Sequence, residues 1–113
     1  MPAWDDLAPD EQRVAARFME AFAAYLSHAD EQVGRVVDAL AETGDLENTI
    51  IVVVSDNGAS GEGGPNGTFN EWRFFNGVPT PTSLTLEHID ELGGPESYNH
   101  YNTGWAWAFN TPF

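Results

Sequence analysis

Thr49-Ile50-Ile51-Val52-Val53-Val54-Ser55-Asp56-Asn57-Gly58 places five consecutive β-branched apolar residues directly before a polar turn sequence. An apolar run without alternation describes a strand buried on both faces, the kind found in the middle of a parallel sheet. Upstream, Leu7 to Ala41 reads as one long helix, or two in sequence. Its apolar residues recur at Val14, Phe18, Phe22, Tyr25, Ala29, Val33, Val36 and Leu40, at steps of three or four. Pro9 suits a first helical turn, and Asp10 and Glu11 favour the positive end of the helix dipole. Gly44 follows the last apolar position as a helix stop should. Gly34 lies inside the pattern, where it costs roughly 1 kcal/mol relative to alanine. Close approach of a neighbouring element is the expected reason for it. A helix, a short connection at 45–49 and a central strand make half of a βαβ unit, so the fold class is α/β.

Downstream the composition changes. Residues 58–67 contain five glycines and a proline and predict a long mobile loop. The next stretch, Thr68 to Gly77, is aromatic and polar and fits neither periodicity. Leu86, Ile89 and Leu92 stand three residues apart and predict a short helix over 83–92, ended by Gly93-Gly94. The remainder, from Tyr98, is irregular and rich in aromatic residues, asparagine and glycine. A doubly buried strand needs strand neighbours and helices above and below it. One convincing strand is legible in the chain, so its neighbours are expected in sequence outside it.

The chain has 113 residues, the length of one small domain. Hydrophobic residues make up 42% and charged residues 19%, a globular balance. No apolar run reaches the length of a membrane span. There is no cysteine, which excludes disulfides, thiolate metal sites and a cysteine nucleophile within this stretch. The net charge is −14, with four arginines (Arg13, Arg17, Arg35 and Arg73) and no lysine. Such a surface repels nucleic acid and anionic membranes. A site for an anionic ester needs positive charge, which here must come from a bound cation or from residues elsewhere.

In an open α/β sheet, ligands bind beyond the carboxyl ends of the strands. Asp56 and Asn57 sit at that end of the expected strand and offer a carboxylate and an amide oxygen, hard ligands suited to calcium or magnesium. Adjacent strand residues point to opposite faces, so the two can share an ion only where the chain turns, and Gly58 permits that turn. Taken alone, Asp-Asn-Gly after a strand is first of all ordinary turn chemistry. Two ligands also fall short of the six to eight oxygens that calcium takes.

The flanks add to this reading. Residues 49–58, preceded by Asp45-Leu46-Glu47-Asn48, resemble the segment of sulfatases that supplies two of their metal ligands. The helix sequence from Asp30 to Leu40 resembles the helix before that strand, and Tyr98 to Phe113 resembles the arylsulfatase branch. The resemblance covers nearly the whole chain in the right order. It implies an alkaline-phosphatase-like α/β fold, with residues 1–113 a partial sulfatase catalytic domain that hydrolyses small-molecule sulfate esters. It also implies that Asp56 and Asn57 are calcium ligands. The family's formylglycine, made within a Cys/Ser-x-Pro-x-Arg motif, is expected elsewhere, because this chain lacks that motif. No catalytic residue is therefore assigned within the chain, and the chain by itself is expected to be inactive. Two alternatives stand beside this reading: a phosphomonoester or phosphodiester hydrolase of the same superfamily, and a non-catalytic acidic cation-binding fragment.

The remaining polar candidates are His28 and His88, both in helical patterns, and His100, the best placed of the three to line a substrate cleft. Asp30 reads as a packing or hydrogen-bonding residue. Trp105 and Trp107 suit either loop packing or the flank of an aromatic substrate.

Overall fold

The computed structural model describes residues 2–54 and 58–111. A 3-10 turn at Trp4–Asp6 leads into helix α1 (Pro9–Thr43), a single helix of 35 residues. At about 1.5 Å per residue α1 is roughly 52 Å long, which accounts for the 53 Å longest dimension of the molecule. Local chemistry sets its ends. Pro9 occupies the first helical position, and the Ala8 N–H donates to Glu11 Oε2 at 2.8 Å. Gly44 closes the helix in the left-handed conformation at φ 80°, its N–H donating to the Ala41 carbonyl.

After a 3-10 turn at Leu46–Asn48, the other elements are short: α2 (Glu71–Phe75), α3 (Thr82–Glu87), a 3-10 turn at Ile89–Glu91, and α4 (Thr103–Phe109). The helix predicted over 83–92 is thus present as α3 and the turn that follows it.

The core forms where these pieces meet the first turns of α1. Val14 and Phe18 are buried with Ile89 and Leu92, and Phe69, Leu86 and Tyr101 pack against them. Arg17 draws the 89–92 turn onto α1, donating to the Leu92 carbonyl at 2.8 Å and the Ile89 carbonyl at 3.3 Å. Trp105 docks α4 in the same way, its indole N–H reaching the Ala15 carbonyl at 2.9 Å.

The glycine-rich run is held rather than loose. Gly64 N–H closes a turn on Gly61 O at 3.1 Å, and Gly64 O accepts from Thr103 N–H at 2.8 Å. Ser60 N–H donates to the Tyr101 hydroxyl at 3.2 Å. Gly67 adopts φ 73°, and a side chain there would run into the Phe18 ring. Gly63 and Gly67 let the backbone lie directly on other groups, Gly63 on the Tyr101 carbonyl and Gly67 on the Phe18 ring.

Two further expectations are corrected. Ile50 to Val54 is not a buried strand, since the described residues contain no β-strand and all five side chains are exposed, Ile50 at 91%. The physical reason is the absence of a partner: a lone apolar segment has no ladder to join, and nothing among the described residues covers it. Gly34 is not explained by close approach either, because among the described residues no atom beyond its own helical turns lies within 4 Å of where its Cβ would be. The second half of α1 is similarly bare, with Tyr25, Leu26, Val33 and Val36 all exposed.

In this chain, Gly67→Ala is expected to destabilise by about 2 kcal/mol or more, from a disfavoured φ and a clash with Phe18. Val53→Thr is expected to change stability by less than about 0.5 kcal/mol, as at any uncovered surface position. Urea unfolding of the two variants checks both, and equal effects would refute this account of the core.

Candidate functional site

The site grows from a short pairing between segments far apart in sequence. Thr68 and His100 form an antiparallel bridge, each N–H donating to the other's carbonyl at 3.0 and 2.9 Å. Next to it, Tyr98 N–H donates to Phe69 O at 3.0 Å, and Glu71 N–H to Tyr98 O at 2.8 Å. Asn70 caps α2, its side-chain oxygen accepting from Trp72 N–H at 3.0 Å. That cap sets Glu71 as the first helical residue, facing the 98–100 segment.

The result is a short hydrogen-bond contact between Glu71 and His100, with Nε2 and Oε2 2.7 Å apart. Both side chains are mostly shielded, His100 at 22% and Glu71 at 15% exposure. Tyr98 approaches the same carboxylate. Its hydrogen bond to Glu71, then the carboxylate's negative charge, then slight desolvation raise the phenol above its ordinary 10.0.

His100 lines a cleft of about 800 Å³ between α1 and the 92–101 stretch. Phe22, Tyr25, Tyr98 and Tyr101 contribute aromatic surface to it, and His28 and Asn99 contribute polar groups. Asn99 is already committed, its amide oxygen accepting from Gly93 N–H at 3.0 Å.

The sequence candidates divide accordingly. His28 and His100 are brought to one cleft. His88 is not, because it stacks on Phe69 with ring centroids 4.4 Å apart and contacts Glu91 at 3.0 Å. Trp105 is spent on docking α4, Trp107 is 69% exposed, and Asp30 is exposed on α1. Asp56 and Asn57 lie outside the described residues. Among the described residues, no three His, Cys, Asp or Glu side chains come together as a metal site. Glu71 and Tyr98 were missed from the sequence. They stand 27 residues apart in a stretch without periodicity, and their partnership exists only through the bridge.

A family model described as Sulfatase matches residues 2–113. The chain belongs to the sulfatase family. Similar proteins include an uncharacterized sulfatase of Schizosaccharomyces pombe, 31% identical over 115 residues, covering 97% of this chain and 19% of that protein. An arylsulfatase of Klebsiella aerogenes is 30% identical over 110 residues, covering 97% of this chain and 22% of that protein. The sulfatase chain therefore spans about a fifth of the length of the curated relatives it matches. No solved structure gives a significant match. No helix among its described residues is long and apolar enough to cross a membrane.

The raised phenol gives a pH prediction for this sulfatase segment. The folded state holds the Tyr98 proton more tightly than the unfolded chain, so its contribution is complete below pH 10 and is lost as pH rises through the higher folded value. Ultraviolet titration is expected to show a tyrosine ionising above 10.0, returning toward 10.0 in Glu71→Gln. An unchanged midpoint in that variant would remove Glu71 as the cause.

Proposed function

We propose that this chain forms part of a sulfatase catalytic domain that hydrolyses small-molecule sulfate esters, and that Asp56 and Asn57 supply two of its calcium ligands. The observation that carries this is the family match across residues 2–113, with Ser55-Asp56-Asn57-Gly58 directly after the apolar run. The donor chemistry fits, since a carboxylate and an amide oxygen are the hard ligands that calcium takes. Calcium takes six to eight oxygens, so on this reading the remaining ligands come from elsewhere in the domain. Bound calcium would offset the negative charge of the sulfate group. The nucleophile also belongs elsewhere, because the chain has no cysteine and no Ser-x-Pro-x-Arg sequence.

The uncovered Ile50–Val54 run supports the reading as one part of a larger α/β domain of alkaline-phosphatase-like fold. Burying each of these side chains would stabilise the structure by roughly 1.5–3 kcal/mol, a gain that the described residues leave unrealised. Strands from the rest of the domain would supply the cover.

In the full-length protein, Asp56→Ala and Asn57→Ala are each expected to weaken calcium binding more than about ten-fold, equivalent to about 1.4 kcal/mol, with loss of sulfate release. Calorimetry with calcium and a sulfate assay check this, and unchanged calcium affinity in Asp56→Ala would defeat the ligand assignment. Faster turnover of a phenyl phosphate than of the matching sulfate would instead favour a phosphate-ester hydrolase. The 113-residue chain alone is expected to release no sulfate. Turnover by it would overturn its reading as part of a domain.

A further inference from the structure

The cleft beside α1 contains a histidine with one ring nitrogen already engaged. His100 Nε2 lies 2.7 Å from Glu71 Oε2, and a carboxylate accepts, so Nε2 carries the proton. In the neutral ring this leaves Nδ1 as a hydrogen-bond acceptor, and no partner holds it among the described residues. Glu71 is itself fixed as the first residue of α2 by the Asn70 cap, so the ring is oriented from behind.

The ring lines the cleft, and the other lining residues narrow what the cleft can hold. Phe22 and Tyr101 pack edge-on with centroids 5.2 Å apart and give the cleft a rigid aromatic wall. Tyr25 and Tyr98 are 72% and 56% exposed and stand at its mouth. A volume of about 800 Å³ is ample for a ring-sized ligand. The cleft does not suit an anion. Arg17, the arginine that lines it, already serves the Ile89 and Leu92 carbonyls and Glu20, and the chain carries a net charge of −14.

We propose that this cleft binds the uncharged organic part of the substrate, a ring bearing a hydroxyl of its own, and that His100 Nδ1 accepts the hydrogen bond from that hydroxyl. The proposal rests on the sulfatase reading for the identity of the substrate, and on the cleft alone for the ligand chemistry. His100 is then a specificity residue and Glu71 a positioning residue that holds its ring.

The test uses the full-length protein, with phenyl sulfate and 4-hydroxyphenyl sulfate as substrates and hydroquinone as a binding probe. The wild type is expected to show a KM for the hydroxylated ester about ten-fold lower, with similar kcat for both. His100→Gln places its amide near Nε2, keeping a partner for Glu71 while losing Nδ1, and is expected to abolish that preference. His100→Asn places its amide oxygen near Nδ1 and is expected to restore part of it. Independently of any variant, hydroquinone is expected to shift the His100 Nδ1 resonance in ¹⁵N NMR of the unmodified protein. Equal KM values for the two esters in the wild type would overturn the proposal, as would a preference that survives in a folded His100→Gln. If neither ester is hydrolysed but hydroquinone binds and moves the Nδ1 signal, the sulfatase reading fails while the cleft assignment stands. If both esters are hydrolysed and hydroquinone leaves that signal unmoved, the cleft assignment fails and the sulfatase reading stands.

Discussion

The packing of the 67–69, 86–92 and 101 stretches onto α1 depends on the burial of Phe18. Its side chain is fully inaccessible, and elements from three distant parts of the sequence close around it. Gly67 brings bare backbone onto the ring, Ile89 and Leu92 cover its flank, and Tyr101 and Phe69 seal the edge. None of the covering elements is long enough to persist alone, since α2, α3 and α4 have five, six and seven residues. α3 is held by docking on α1, and α4 by the Trp105 hydrogen bond to the Ala15 carbonyl. Removing the ring would cost roughly 3–5 kcal/mol for a site of this kind, a large share of the stability of a small domain.

The polar contacts near this core are arranged to satisfy it. Thr68 is buried, and its hydroxyl donates to the Asn70 carbonyl at 2.8 Å and meets the Thr80 hydroxyl at 3.2 Å. Arg73 then ties the 76–80 turn back, donating to Pro79 O at 2.7 Å and resting over the Phe69 ring. With the backbone bridge in place, Glu71, Tyr98 and His100 have little freedom left. The pairing that completes the fold is thus the same pairing that builds the side-chain cluster at the cleft.

The exposed surfaces are as telling as the core. The apolar stripe of α1 continues past the part that is covered, and the Ile50–Val54 run is bare on both faces. The radius of gyration is 17.5 Å, against roughly 13 Å for a compact chain of this length. One end of the molecule is packed, and the other leaves apolar side chains uncovered among the described residues. The strand expectation misjudged the state of this segment here, because strand formation needs partners and apolar composition cannot supply them.

What the sequence determined by itself is therefore local. The three- and four-residue spacing, Pro9 and Gly44 placed helix from Leu7 to Ala41, within about two residues of the observed ends, and left open whether it was one helix or two. Leu86, Ile89 and Leu92 marked a face that is indeed turned toward α1. The residue order around Ser55-Asp56-Asn57-Gly58 carried the family. Tertiary structure decided the rest. It turned a glycine run expected to be mobile into a pinned loop, sent His88 to stack on Phe69, and spent Trp105 on the Ala15 carbonyl. It also brought Glu71 to His100 across 29 residues of chain. Helix propensity and capping act within a few residues and can be read along the sequence, whereas a hydrogen bond between distant side chains exists only once the backbone has been folded to deliver them.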